Sequence, residues 1–238
     1  EYLGTDFILH RGTSSDDRFY ILGTQNNTSI TITDGGTTTS LVNWSETYEY
    51  DITGDETYIE TSKPVYLWHA SGFGCNLSGA QVPNTFCAGK YEQAFTRATA
   101  DSLGLYVYVR AGYEDDFLLN GSSTLLQASD FTVVPGTAGE FVVARKYYNT
   151  TDVPVGSYNL LTNSGDIFGM AIVSGETTVG AAYAYLTEFT SYPFIDAGLD
   201  DTVCQNMPFP INATVGGGDV TATWSTTGFG NFSSANDV

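Results

Sequence analysis

The chain has 238 residues, enough for one large β domain or two small ones with a sizeable core. Apolar residues make up 42% and charged residues 15%, a globular composition rather than a disordered one. Lys and Arg number 8 against 27 Asp and Glu, a net charge of −19; such a field repels phosphate backbones and anionic lipid, which argues against nucleic acid and simple membrane adsorption as partners.

Strand signals fill the chain in order. "RFYILGT" and "SITIT" flank "QNN" as a hairpin-like pair, and "TYEYDI", "TYIET" and "PVYLWHA" follow. The second hundred residues offer "GLYVYVRA", "DFLLN", "FTVV", "EFVVA", "YNLLT", "IFGMAIV" and "AAYAYLTEF". Turn chemistry separates them: "DGG", "TGD", "NGSS", "VPGTAG" and "NSGD". The most apolar run, "VGAAYAYL" at 179–186, has strand length and is far short of the ~18 residues of a membrane-spanning helix. The segment 87–100 carries good helix formers without a clean apolar stripe; it forms either one or two helical turns or a surface connection between two sheets. Strands at this spacing point to an all-β fold of antiparallel sandwich units. A repeated order of aromatic strand, turn and hairpin suggests two related units, 1–95 and 96–193, packed together. Composition shifts near "SYPF" at 191–194, where aromatics thin out and Pro193 bars a central strand. Residues 194–238 are then a separate segment.

The search for chemistry is mostly negative. His69 and Ser71 share one face of a strand, but no nucleophile elbow or orienting carboxylate is evident in the sequence; a hydrogen-bonded strand-end histidine is the better reading. The glycines 216–218 read as a turn, not a phosphate loop. Acidic loops hold Asp115, Asp116, Asp196 and Asp200, which are either calcium ligands or solvated turns; none matches an established calcium spacing. No other cofactor is expected, and no catalytic residue is assigned. Cys75 and Cys87 lie in a polar, loop-like segment and are expected to pair in an oxidising compartment, with two buried free thiols as the other reading. Cys204 then has no mate in the chain. Of the three tryptophans, Trp68 stands on an apolar strand and is expected in the core; exposed aromatics would suit sugar stacking.

Two resemblances follow from specific stretches. "TDFILH", "TQNNTSITI", "ETYEYDITGDETYIETSKPVYLWHASGFGC" and "KYEQAF" resemble the N-terminal β-domain family named after an IgG-Fc-binding mucus protein, which also occurs in bacterial surface proteins. That family usually places prolines after its Glu-Gln; this chain has Phe95 and Thr96 nearby instead. The resemblance covers residues 1–193 and implies β architecture and extracellular adhesion or binding, with no catalytic residues to carry over. "DAGLDDTVCQNMPFPINATVGGGDVTATWSTTGFGNFSSANDV" resembles the opening of Ig-like repeats in large surface adhesins of Bacteroidetes-type bacteria. It implies secretion, a long repetitive parent protein and a mate for Cys204 beyond Val238.

These readings converge on a non-enzymatic extracellular module of a bacterial surface adhesin or filament. Its partners would be other copies of the surface protein, or a protein or glycan on a host or prey cell. β edges offer a route to homo-oligomers. The alternatives are a carbohydrate-binding accessory domain of a secreted enzyme and a self-assembling subunit of a surface appendage.

Overall fold

The computed structural model describes residues 3–44, 46–85, 88–178, 180–187, 194–196 and 214–216. The chain divides into two compact units, Glu1–Phe189 and Thr190–Val238. The described residues are almost all β, in antiparallel sheets packed as sandwich-like units.

The first sandwich contains β1 (Gly4–His10), β2 (Arg18–Gly23), β3 (Thr28–Asp34), β4 (Thr37–Trp44), β5 (Thr47–Asp51), β6 (Glu56–Phe73) and β7 (Asn76–Gln81). β6 is its axis. The expected strands "TYIET" and "PVYLWHA" are one strand of 18 residues. Its first half pairs with β1 and β3, its second half with β2 and β7. The exchange of neighbours occurs around Pro64, which has no N–H to give to a ladder. There the β1–β6 register slips, from Asp6 opposite Glu60 to Gly4 opposite Val65. One long strand thus joins both halves of a single seven-stranded sheet, and residues from both halves share a core of Phe7, Leu9, Phe19, Ile21, Ile30, Ile32, Ile59 and Leu67. At about 2 kcal/mol for each fully buried aliphatic or aromatic side chain, this core is a main source of stability.

The expected hairpin between "RFYILGT" and "SITIT" does not form. β2 and β3 pair with different halves of β6 and not with each other. The "QNN" connection carries the chain from one side of β6 to the other within the same sheet, with Asn27 in the left-handed region at φ 59°. The hairpin is instead β3–β4, turned by Gly35 and Gly36 at φ 54° and 87°. Asp34 anchors that turn. Its carboxylate accepts from Thr53 N at 2.8 Å, Thr53 Oγ1 at 2.7 Å, Gly54 N at 2.8 Å and Thr57 Oγ1 at 3.0 Å. Burial works against its charge, but these bonds hold its pKa below the ordinary value. Asp34→Ala is expected to cost about 3 kcal/mol with the fold retained, read as a lower midpoint in urea at unchanged m-value.

The second sandwich contains β8 (Glu92–Thr96), β9 (Ser102–Arg110), β10 (Phe117–Leu119), β11 (Phe131–Val133), β12 (Phe141–Tyr148), β13 (Tyr158–Asn163), β14 (Gly169–Glu176) and β15 (Gly180–Tyr185). One sheet runs β11-β12-β9-β14-β15 and the other β10-β13-β8. Their shared core includes Phe95, Leu105, Val107, Phe117, Leu161 and Met170. Residues 92–96, within the segment 87–100 read as either helical turns or a surface connection, form β8. Pairing with β13 and burial of Phe95 override the helix propensity of its neighbours. β9 is buried on both faces: Leu103, Leu105, Val107 and Val109 point into its own core, while Tyr106 and Tyr108 point the other way. There they meet Phe73, Ala80 and Ile8 of the first sandwich. In the second unit, β16 (Phe194–Asp196) and β17 (Thr214–Gly216) form an antiparallel pair.

Candidate functional site

Strand period places the two faces of β6 in different worlds. From Val65 to Ser71 the odd residues are buried and the even ones are exposed or half-buried. Tyr66 is 40% exposed and Trp68 45% exposed. β2 extends this outer face, with Tyr20 opposite Trp68 and Leu22 opposite Tyr66; Leu22 is 42% exposed. On the other side of β6, β7 leaves room for the indole. A Cβ built on Gly79 would collide with the Trp68 ring, so the ring lies across the bare backbone of that glycine. On the far side of β2, Glu49 stands opposite Tyr20 and Asp51 opposite Arg18.

The result is a contiguous aromatic and aliphatic patch on a sheet whose other face is core. Trp68 was expected inside and lies outside. Both parities of "PVYLWHA" are apolar, so hydrophobicity does not choose between them; Val65 and Leu67 take the core positions. Gly79→Ala is expected to push the indole off its seat and shift tryptophan emission.

The inner face of β6 reaches beyond its own core to the seam with β9 and β15. His69 and Ser71 do share that face, as the strand period predicts, and both are wholly buried. They do not pair. Ser71 Oγ donates to Asp17 Oδ2 at 3.2 Å, and His69 Nδ1 shares a 2.7 Å hydrogen bond with the Tyr183 hydroxyl. Asp17 Oδ2 also accepts from the Gly12 amide. His10 packs its ring against Tyr106 with centroids 5.4 Å apart. Neither ring nitrogen of His10, nor Nε2 of His69, nor Oδ1 of Asp17 finds a hydrogen-bond partner among the described residues. Arg145 closes the seam, donating to the Arg11 carbonyl at 2.6 Å and to Asp55 at 3.2 Å.

Burial dominates the electrostatics of this seam. It pushes both histidines down to about 3, with Arg145 adding to the effect on His10. It lifts Asp17 to about 6, against the hydrogen bonds from Gly12 and Ser71. The histidines are therefore neutral at neutral pH, and the seam is a packed polar joint.

The acidic candidates lie elsewhere. Asp115 and Asp116 sit on a single 3-10 turn, Glu114–Asp116, and the Asp116 carboxylate packs against Gly165. Asp196 falls on β16 with its side chain undescribed, and Asp200 lies outside the described residues. Among the described residues no three His, Cys, Asp or Glu side chains converge to hold a metal ion. Cys75 is exposed at the turn between β6 and β7; its expected partner Cys87, and Cys204, lie outside the described residues. Among the described residues no helix is long and apolar enough to cross a membrane.

A family model described as IgGFc binding protein matches residues 1–185, the span that holds both sandwiches. No curated protein and no solved structure matches the chain.

Proposed function

Because the chain belongs to the IgGFc binding protein family, we propose that it is an extracellular, non-catalytic binding module that recognises a protein partner through the outer face of β2 and β6. The observation that carries this reading is the exposed set of Leu22, Tyr66 and Trp68 beside Tyr20. Contiguous apolar patches on a monomer mark interaction sites, and tryptophan and tyrosine supply large contact area at low entropic cost. Rigid β scaffolding suits such a role, since the strands beneath the patch are anchored in a packed core. In this reading the module belongs to a bacterial surface adhesin or filament, and residues 194–238 begin an Ig-like repeat that extends it from the surface.

A second reading follows from the flat seating of Trp68 over Gly79. An exposed indole lying along a sheet also suits the face of a sugar ring, as a carbohydrate-binding accessory domain would need. One experiment separates the two. The immobilised protein is presented to a panel of extracellular proteins, immunoglobulin G Fc among them, and to a glycan array. The proposal expects saturable binding of a panel protein and no glycan hit. Glycan binding without protein binding contradicts it.

A further inference from the structure

The aromatic face carries charge on one flank only. Row by row across the sheet, Glu49 stands beside Tyr20 and Trp68, and Asp51 beside Arg18 and Ala70. Exposed Asp16 adds a third carboxylate in the loop that leads into β2. The one cation among them, Arg18, is already committed. Its Nη1 lies 2.6 Å from Glu49, its Nη2 3.5 Å from Asp51, and its Nε donates to the Asp16 carbonyl at 3.2 Å. The Glu49 and Asp51 side chains keep 49% and 73% of their area in solvent despite that contact. The flank therefore retains negative charge and accessible carboxylate oxygens, and its geometry already accommodates a guanidinium. The opposite flank, on β7, presents Leu77, Gly79 and Gln81 and no charge.

An aromatic face has negative electrostatic potential over its rings, which favours a nearby cation. Carboxylates along one edge add to that, and the whole chain carries −19. From this charge pattern, and resting on the protein-binding reading above, we infer that the face takes a basic protein surface. An apolar side chain of the partner sits on Trp68 and Tyr66, and a neighbouring arginine or lysine meets Glu49 and Asp51. Arginine fits best, because its planar fork stacks on aromatic rings and pairs with carboxylates at once. An acidic partner is disfavoured by the same charges, which gives the face selectivity by repulsion as well as by attraction.

The test follows the Trp68 indole N–H by NMR, assigned with Trp68→Phe. The probes are a short peptide alternating arginine and leucine, its glutamate–leucine counterpart, and cellohexaose. The inference expects the arginine peptide to move the Trp68 signal, with affinity falling about tenfold between about 50 and 300 mM salt. Glu49→Gln with Asp51→Asn should give a similar loss at low salt. The same change of charge at Asp115→Asn with Asp116→Asn should leave affinity within about twofold, which separates the local flank from the net charge of the chain. Equal losses from the two charge-neutralised variants overturn the inference, as does a Trp68 shift caused by the glutamate peptide or by cellohexaose but not by the arginine peptide. A protein partner that binds through Trp68 without salt dependence overturns the basic-partner inference and leaves the protein-binding reading standing. A partner whose binding survives Trp68→Ala removes both.

Discussion

Arg97→Met is expected to lower the stability of the protein by about 4 kcal/mol, the largest effect of any single substitution argued for this chain. Arg97 is 2% exposed and sits just past β8. Its guanidinium donates to five backbone carbonyls: Thr99 at 3.0 Å, Tyr148 and Val153 at 3.1 Å each, Ala100 at 3.2 Å and Asp101 at 2.5 Å. These carbonyls belong to the turn before β9, the end of β12 and the loop toward β13. One side chain therefore ties together three segments at the end of the β9–β12 ladder, whose last pair is Leu103 opposite Tyr148. Methionine keeps much of the volume and leaves the carbonyls without donors. Each buried orphan costs about 1–3 kcal/mol, and the Tyr148 and Val153 oxygens have the least access to water. For a domain of this size the midpoint temperature should fall by about 10 °C. Arg97→Lys should fall between, since an ammonium reaches fewer carbonyls than a planar fork. A melting temperature for Arg97→Met within about 2 °C of the parent contradicts this account.

The second large effect is a loss of stability on mild acidification. His10 and His69 have folded pKa values near 3 against 6.5 for a free histidine. Between those values the unfolded chain binds protons that the folded chain refuses, so stability falls as pH drops below 6.5 and continues to fall toward 3. Asp17 runs the other way. Its folded value near 6 lies above the free value of 3.8, so burying it as a carboxylate costs stability at neutral pH, and that cost is relieved as pH falls through 6. At pH ~4.5 two histidines lose about 5 kcal/mol together and Asp17 returns about 2, a net loss of about 3 kcal/mol relative to neutral pH. The double variant His10→Gln, His69→Gln leaves Asp17 alone in the seam. Its seam contribution should then grow between pH ~6 and ~4 rather than shrink. Chemical denaturation at a series of pH values checks the sign. An unchanged acid slope in the double variant would place the acid sensitivity outside the seam.

The sequence shows the strands through β-branched and aromatic runs between glycine-rich turns, and that was enough for the fold class. It did not show how the strands pair. β6 looks like two strands because Ser62, Lys63 and Pro64 interrupt the apolar pattern, yet that interruption is where one continuous strand exchanges its neighbours within the sheet. β7 hides in "NLSGAQ", a polar stretch that becomes a strand only because β6 offers it a ladder. The seam is non-local by construction: His69 meets Tyr183 across 114 residues, and nothing near either residue announces the other. Arg97 sits among threonines and alanines and resembles a surface residue. Its partners Tyr148 and Val153 are 51 and 56 residues away. The outward face proposed for recognition was within reach of the sequence. Counting Val65 and Leu67 as the inward parity, with His69 and Ser71 continuing it, would have turned Tyr66 and Trp68 outward.

The account rests on that outward face, and one comparison tests it most directly. Binding of the panel protein recognised by the parent chain is measured for Trp68→Ala and for Tyr158→Ala. Tyr158 is 69% exposed on a different sheet and serves as the aromatic control. The account predicts a loss of about thirtyfold for Trp68→Ala, the scale of a buried aromatic anchor, and affinity within about twofold for Tyr158→Ala, with both variants melting as the parent does. Unchanged affinity in Trp68→Ala, or an equal loss in Tyr158→Ala, would contradict the assignment of the β2–β6 face as the site of recognition.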